Sequence, residues 1–483
     1  MNERTLASIG RRMSVPELEM LLLERIARRR PASIVRFNDG EAKLLGTPAF
    51  YAQSQLTRML ERWFRDNRLS LDQLERLRAG LAAAIRNADV VGCPDADWPA
   101  EFARANAVLA SLAAGHPLAT VLVNFPQAMI LDGFLQKTLT GIDFLGLVTS
   151  RDVRGVVRHM LEPRRSAWCR VPEQALFCYE PHLPRHFPEM FDFLCASIEV
   201  PFQGAVFLVG AGPCGKIYCD VIKRRGGIAI DIGSVFDVWA GRLTRPEMDF
   251  TPVRSYYERV VAVPAPRDDD VLALAEIHQN DGDLGRSIDL LRMVLRLRPG
   301  SVPLTLKCIE CLLLVGDLPS AKGLFEALAQ AGTPGTAVSR AAARLFMDHG
   351  HRIVAGEILA QALYVDPTDI IMLRLALMVF TEADLAVPPP PARLHADLVL
   401  ASVAALQAQP GDHTLCFNFA RYLGANGDVA QAICWGERAI MLFPIEIAYY
   451  PPVIAWLGYV GRASDAGTLA EAMAALESLG PAA

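Results

Sequence analysis

The sequence predicts an α/β domain built on a mostly parallel sheet, followed by an all-α solenoid of helix pairs. Three observations carry this. Short apolar runs alternate with amphipathic helical segments over residues 1–262. Near the end of that region come a strand, a glycine turn, a helix and a second strand ending in an acid, the order of a βαβ unit. Beyond it strands disappear and glycines recur at a spacing of 34 residues.

A length of 483 residues calls for about two to four domains. The net charge of −5 gives no support for nucleic-acid binding. Residues 1–12 lack the apolar core of a signal peptide. No run approaches the roughly 18 apolar residues of a membrane span. The expectation is a cytoplasmic protein without a membrane span. The cysteines are scattered, mostly in apolar segments, which suits buried thiols in a reducing compartment. Cys308 and Cys311 form a lone C-x-x-C inside a helical pattern, without the second ligand pair that zinc requires.

In chain order, Ser14, Pro16 and Glu17 form a capping box with proline just inside the helix start. Pro31 ends that helix, and Ile34-Val35 reads as a short buried strand. It runs into Arg36-Phe37-Asn38-Asp39-Gly40-Glu41, a turn entering a helix. Two carboxylates in one turn, Asp39 and Glu41, can converge on a hard cation such as Mg²⁺ or Mn²⁺. The competing reading is a plain turn whose acids favour the helix N-terminus. Arg36 suits an anionic ligand, or a carboxylate that it holds in place.

Helices are predicted over residues 54–66 and 71–87, the second opened by Ser70 and Gln73. Strands are predicted at Val90-Val91-Gly92, at residues 120–124, 143–148 and 176–179, at 205–209 and at 228–233. The loop of Asp95, Asp97 and Trp98 is a candidate pocket lip, with a surface turn as the simpler reading. Ser150 and Arg151 fall where ligands bind in open parallel sheets, beyond a strand's carboxyl end. His182 and His186 lie in a Pro-Arg-rich loop, and Pro184 argues against the helix that a shared metal would need.

Gly210-Ala211-Gly212-Pro213-Cys214-Gly215 follows a strand and precedes a helix. Glycines such as Gly212 and Gly215 let backbone N–H groups approach a diphosphate. Lys216 in the first turn suits an anion or water better than the helix itself. Asp231 ends the next strand, and Asp237 follows Ser234 at a helix start. The same turn would serve NAD or S-adenosylmethionine, with Asp231 on ribose hydroxyls. Those folds place it after their first strand, whereas here it closes the domain.

The segments Arg36–Glu41, Gly212–Lys216 and Asp231-Ile232-Gly233 together resemble the GT-D glycosyltransferase fold over roughly residues 14–250. That fold carries an R-[FY]-G-D-G-E-like segment and a G-x-x-x-K…D-I-G segment. Asn38 stands where glycine is usual. The resemblance implies a transferase that moves a sugar from a nucleoside-diphosphate sugar, foremost a uridine-diphosphate sugar, to a glycan or protein acceptor. It implies Asp39 and Glu41 as ligands of Mn²⁺ or Mg²⁺, with Asp231 as a further catalytic acid. Arg36, Ser150, Arg151, Gly212, Gly215, Lys216 and Asp237 would contact the substrate.

Residues 263–270 read as a Pro- and acid-rich linker to a repeat domain over residues 271–483. Gly282, Gly316 and Gly350, then Gly427 and Gly461, keep the 34-residue spacing, and Ser287, Ala321, Ala355, Ala432 and Ala466 follow five residues later. This resembles tetratricopeptide repeats, with about six units, one interrupted near Pro388–Pro391. Such arrays present a groove for a protein partner; a purely structural appendage is the simpler reading. A non-catalytic repeat scaffold is therefore a further alternative for the whole chain.

Overall fold

The computed structural model describes residues 8–64, 69–95, 100–173, 184–242, 244, 249–330, 335–366, 369–381, 392–444 and 446–478. Asp97, Trp98, the strand expected at 176–179, His182 and Pro388–Pro391 lie outside the described residues. Contacts divide the chain into two compact units, with the boundary at Ala265 and Pro266.

Among the described residues the first unit holds seven strands: β1 Ala32–Arg36, β2 Val90–Cys93, β3 Thr120–Leu122, β4 Leu145–Thr149, β5 Ser166–Arg170, β6 Val206–Gly210 and β7 Ile228–Asp231. They form one sheet in the order β3-β2-β1-β7-β6-β4-β5. Every pairing is parallel. The last strand is inserted between the first and the sixth, with Ile34 opposite Ile230 and Val209 opposite Asp231. All carboxyl ends therefore meet at one edge. This brings the two signature segments together although most of the domain separates them in sequence.

Both faces of the sheet are covered, as parallel sheets require. On one face Val35, Phe207, Val209 and Ala229 join a core with Leu77, Leu81 and Ile222. Those residues come from the packed helices Leu71–Asn87 and Gly212–Arg224. Ile34, Leu147, Leu208 and Ile230 alternate to the other face and are as fully buried. The capping box at Ser14 forms as predicted, with the Ser14 N–H donating to Glu17 at 2.8 Å.

The second unit contains six helix pairs, from Asp268–Asn280 with Leu284–Leu297 to Tyr450–Tyr459 with Ala463–Ser478. The expected linker is shorter than residues 263–270. Asp268, Asp269 and Asp270 form the first turn of a helix, where their charge meets unpaired backbone N–H groups. Gly282, Gly316, Gly350, Gly427 and Gly461 all have φ between 80° and 89°. A side chain at any of them would meet nothing within 4 Å, so left-handed backbone explains these glycines. Ser287, Ala321, Ala355 and Ala432 are fully buried where the helices cross. Ala466, in the last pair, is only half-buried. Cys308 and Cys311 lie buried in the interior of helix Val302–Leu314.

The residue after the turn glycine takes the N-cap position of the next helix at Asp283, His351 and Asp428. Asp283 and Asp428 accept from the N–H groups of Arg286 and Gln431 at 3.0 and 3.2 Å. His351 has the same backbone conformation (φ −94°, ψ 57°) as Asp283 (φ −92°, ψ 65°), but its side chain caps nothing. His351→Asp is therefore expected to stabilise the repeat unit by about 1 kcal/mol, read as a higher denaturant midpoint at unchanged slope.

Candidate functional site

The carboxyl ends of β1, β4 and β6 open into a cavity of about 390 Å³. Helices Asp39–Gly46 and Gln53–Phe64 add to its wall. Among the residues singled out from sequence, Arg36, Asp39, Glu41, Ser150, Arg151, Gly212, Lys216 and Asp237 line it. Asp231 and Gly215 do not. Gly215 is buried inside helix Gly212–Arg224, where an added Cβ would find ordinary contacts at 3.4 and 3.5 Å.

The signature residues hold one another. The Lys216 ammonium forms ion pairs with Glu41 Oε1 at 2.6 Å and Asp231 Oδ2 at 3.1 Å and donates to the Gly212 carbonyl at 3.2 Å. Lys216 was expected to face a bound anion or water; it is instead 3% exposed and enclosed by the protein's own acids. Burial works against its charge, but Asp231 and Glu41 outweigh that and raise its pKa. Burial likewise works against the Asp231 carboxylate, yet Lys216 and Arg36 hold its pKa below the ordinary value. Asp231 is 2% exposed and also accepts from the Arg36 N–H at 3.3 Å, across 195 residues of sequence. An acid so enclosed anchors the site from beneath rather than meeting a ribose or an acceptor hydroxyl.

This pairing explains the D-I-G segment. Gly233 has φ +48°, and a Cβ there would lie 1.5 Å from Arg36 Nη2. The guanidinium thus passes directly over the glycine. Its Nε stands 3.5 Å from Asp231 Oδ1 and makes no hydrogen bond among the described residues. Arg36 also lines the cavity.

On the other side of the cavity Arg151 donates to Asp237 at 2.9 Å and to Glu173. Asp237 also accepts from Thr244 Oγ1 at 3.0 Å. The Arg151 side chain is 12% exposed, and these two carboxylates raise its pKa against the burial that lowers it.

The two carboxylates of the D-x-E segment do not share a position. Asp39 has a side chain 49% exposed and bonded to Lys43 at 2.8 Å, whereas Glu41 has an 8% exposed side chain on Lys216. The second Glu41 oxygen accepts from the Asn38 N–H at 3.1 Å. A lysine ammonium thus stands where a cation bound to Glu41 would be. Among the described residues no three His, Cys, Asp or Glu side chains group to hold a metal. As arranged, the pair does not fit a shared divalent ion.

Sequence reasoning passed over Trp63, Met59 and Gln55, which line the cavity from one helix at i, i+4 spacing. It also placed His186 in a loop; His186 is buried, 2.7 Å from Tyr218 Oη, and burial lowers its pKa to about 4.

No protein-family profile matches the chain, and no curated protein matches it. Among solved structures it is similar to a tetratricopeptide repeat protein from Parabacteroides merdae, at 13% identity and TM-score 0.32, over 42% of this chain and 77% of that one. It is similar to MamA from Desulfovibrio magneticus RS-1, at 15% identity and TM-score 0.29, over 37% and 94%. YrrB, described as a tetratricopeptide repeat protein with an unusual peptide-binding site, matches at 12% identity and TM-score 0.29, over 40% and 95%. The chain is an α/β unit with a parallel sheet joined to an all-α, tetratricopeptide-like solenoid. None of the described helices is long and apolar enough to cross a membrane.

Proposed function

We propose that the α/β unit binds a nucleoside-diphosphate sugar and transfers its sugar to a glycan or protein acceptor, while the helix pairs dock that acceptor or a protein partner. The supporting observation is that Arg36–Glu41, Gly212–Lys216 and Asp231–Gly233 form one bonded cluster beneath a cavity at the carboxyl ends of the strands. Ligands of open parallel sheets bind there. Arg36 lines the cavity, and a bidentate guanidinium suits the oxygens of a diphosphate. Lys216 fixes Glu41 and Asp231 so that the cavity floor keeps its shape. Asp39 is the acid of the D-x-E pair that reaches solvent.

One observation favours a non-catalytic scaffold instead. Lys216 and Arg36 balance the charges of Glu41 and Asp231, and Lys43 pairs with Asp39, so both acids of the D-x-E pair have partners within the protein.

Calorimetric titration of uridine-diphosphate sugars, with and without Mn²⁺, separates the readings. Wild type is expected to bind, and Arg36→Lys to bind roughly tenfold more weakly because a point charge replaces the fork. Binding that needs Mn²⁺ and is lost in Asp39→Asn would show that Lys216 yields Glu41 to an ion and would restore the two-carboxylate site. Failure across a panel of nucleoside-diphosphate sugars would favour the scaffold.

A further inference from the structure

The geometry points to Trp63 as the stacking platform for the ligand's nucleobase, an inference that rests on the proposed nucleoside-diphosphate site. Trp63 is half-buried and lines the cavity, on the same helix face as Met59 and Gln55. Its six-membered ring edge lies against the glycine turn. A Cβ on Gly212 would come 2.1 Å from Cζ3 and 2.4 Å from Cε3. Its Nε1 stands 3.8 Å from the Cβ position of Gly40, in the D-G-E turn. Trp63 thus touches both signature segments, and the absence of a side chain at Gly212 leaves room for the indole.

The cavity lining combines two chemistries: the charged Arg36, Arg151, Glu41 and Asp237, and the aromatic Trp63 with the apolar Met59. That suits a ligand with an anionic end and a planar ring, since an aromatic face stacks on any base whatever its hydrogen-bonding edge. The Trp63 position reads base planarity, and the charged residues read phosphate. A tryptophan serving only to pack the cavity wall would affect ligands with and without a base alike.

The test titrates the full chain with uridine diphosphate and, separately, with inorganic pyrophosphate. Trp63→Ala is expected to weaken uridine diphosphate about tenfold and to leave pyrophosphate within about twofold. Trp63→Phe is expected to retain uridine diphosphate within about threefold of wild type, because a smaller flat ring still stacks. Trp63→Leu fills much of the space without a flat face; it should reproduce the alanine result and keeps the test open if Trp63→Ala fails to fold. Equal loss for both ligands, or no loss for either, would overturn the stacking role and leave the site reading intact. Failure of wild type to bind uridine diphosphate would overturn both.

Discussion

Lys216→Met is expected to destabilise the α/β unit by about 3–5 kcal/mol, the range for removing one partner of a buried ion pair. The substitution leaves Glu41 and Asp231 buried with only Arg36 nearby and strips a donor from the Gly212 carbonyl. For a unit of this size the loss corresponds to a melting shift of roughly 10 °C. Because the chain has two units, the measurement is a two-transition melt in which one transition moves and the other stays. Asp39→Asn is the control. Its partner Lys43 is reached across a half-exposed position, and such pairs contribute at most about 1 kcal/mol. Equal shifts for the two variants would refute the buried cluster.

The same cluster fixes a pH dependence. The pKa of Asp231 is lower in the fold than its ordinary 3.8, so its contribution is present above that pH and is lost as pH falls through the folded value. The pKa of Lys216 is higher in the fold than its ordinary 10.5, so its contribution is present below that pH and is lost as pH rises through the folded value. Between these limits the wild-type advantage over Lys216→Met should be flat. A difference already vanishing near neutrality would mean that the ammonium is not charged in the fold.

How much of this was legible in the sequence depended on burial. Strands covered on both faces announce themselves as apolar runs, and β1, β2, β3, β4, β6 and β7 were found within a few residues. The edge strand β5 was not, because Ser166–Arg170 is largely exposed and carries no apolar run. Trp168 and Arg154 pack on each other there, a contact without a sequence period. Five of the helix pairs were legible because each has left-handed backbone at its turn, so Gly282, Gly316, Gly350, Gly427 and Gly461 recur at the 34-residue spacing within two runs. In the site, the residue types were legible and their partners were not. Lys216 looked like a ligand contact because helix electrostatics disfavour a cation in a first turn. The insertion of β7 beside β1 supplies the acids that reverse this, and no local pattern encodes that order. Trp63 lies in an ordinary amphipathic helix, and only its contact with Gly212 distinguishes it.

Gly212→Ala carries the second large effect and tests that contact directly. Gly212 has φ +56°, where a side chain costs about 1–2 kcal/mol. Its Cβ would also overlap the Trp63 ring, and forced overpacking costs a further ~1–3 kcal/mol. The expected total is about 2–5 kcal/mol of lost stability. The two contributions separate in a double-mutant cycle. Trp63→Ala removes the overlapping ring, so Gly212→Ala in that background should cost only the backbone share, about 1–2 kcal/mol. Denaturant midpoints of the four proteins measure the coupling. Strict additivity would show that the indole does not rest on the glycine turn, and the stacking platform would lose its support with it. A coupling above about 1 kcal/mol would fix the ring against the helix that carries Lys216.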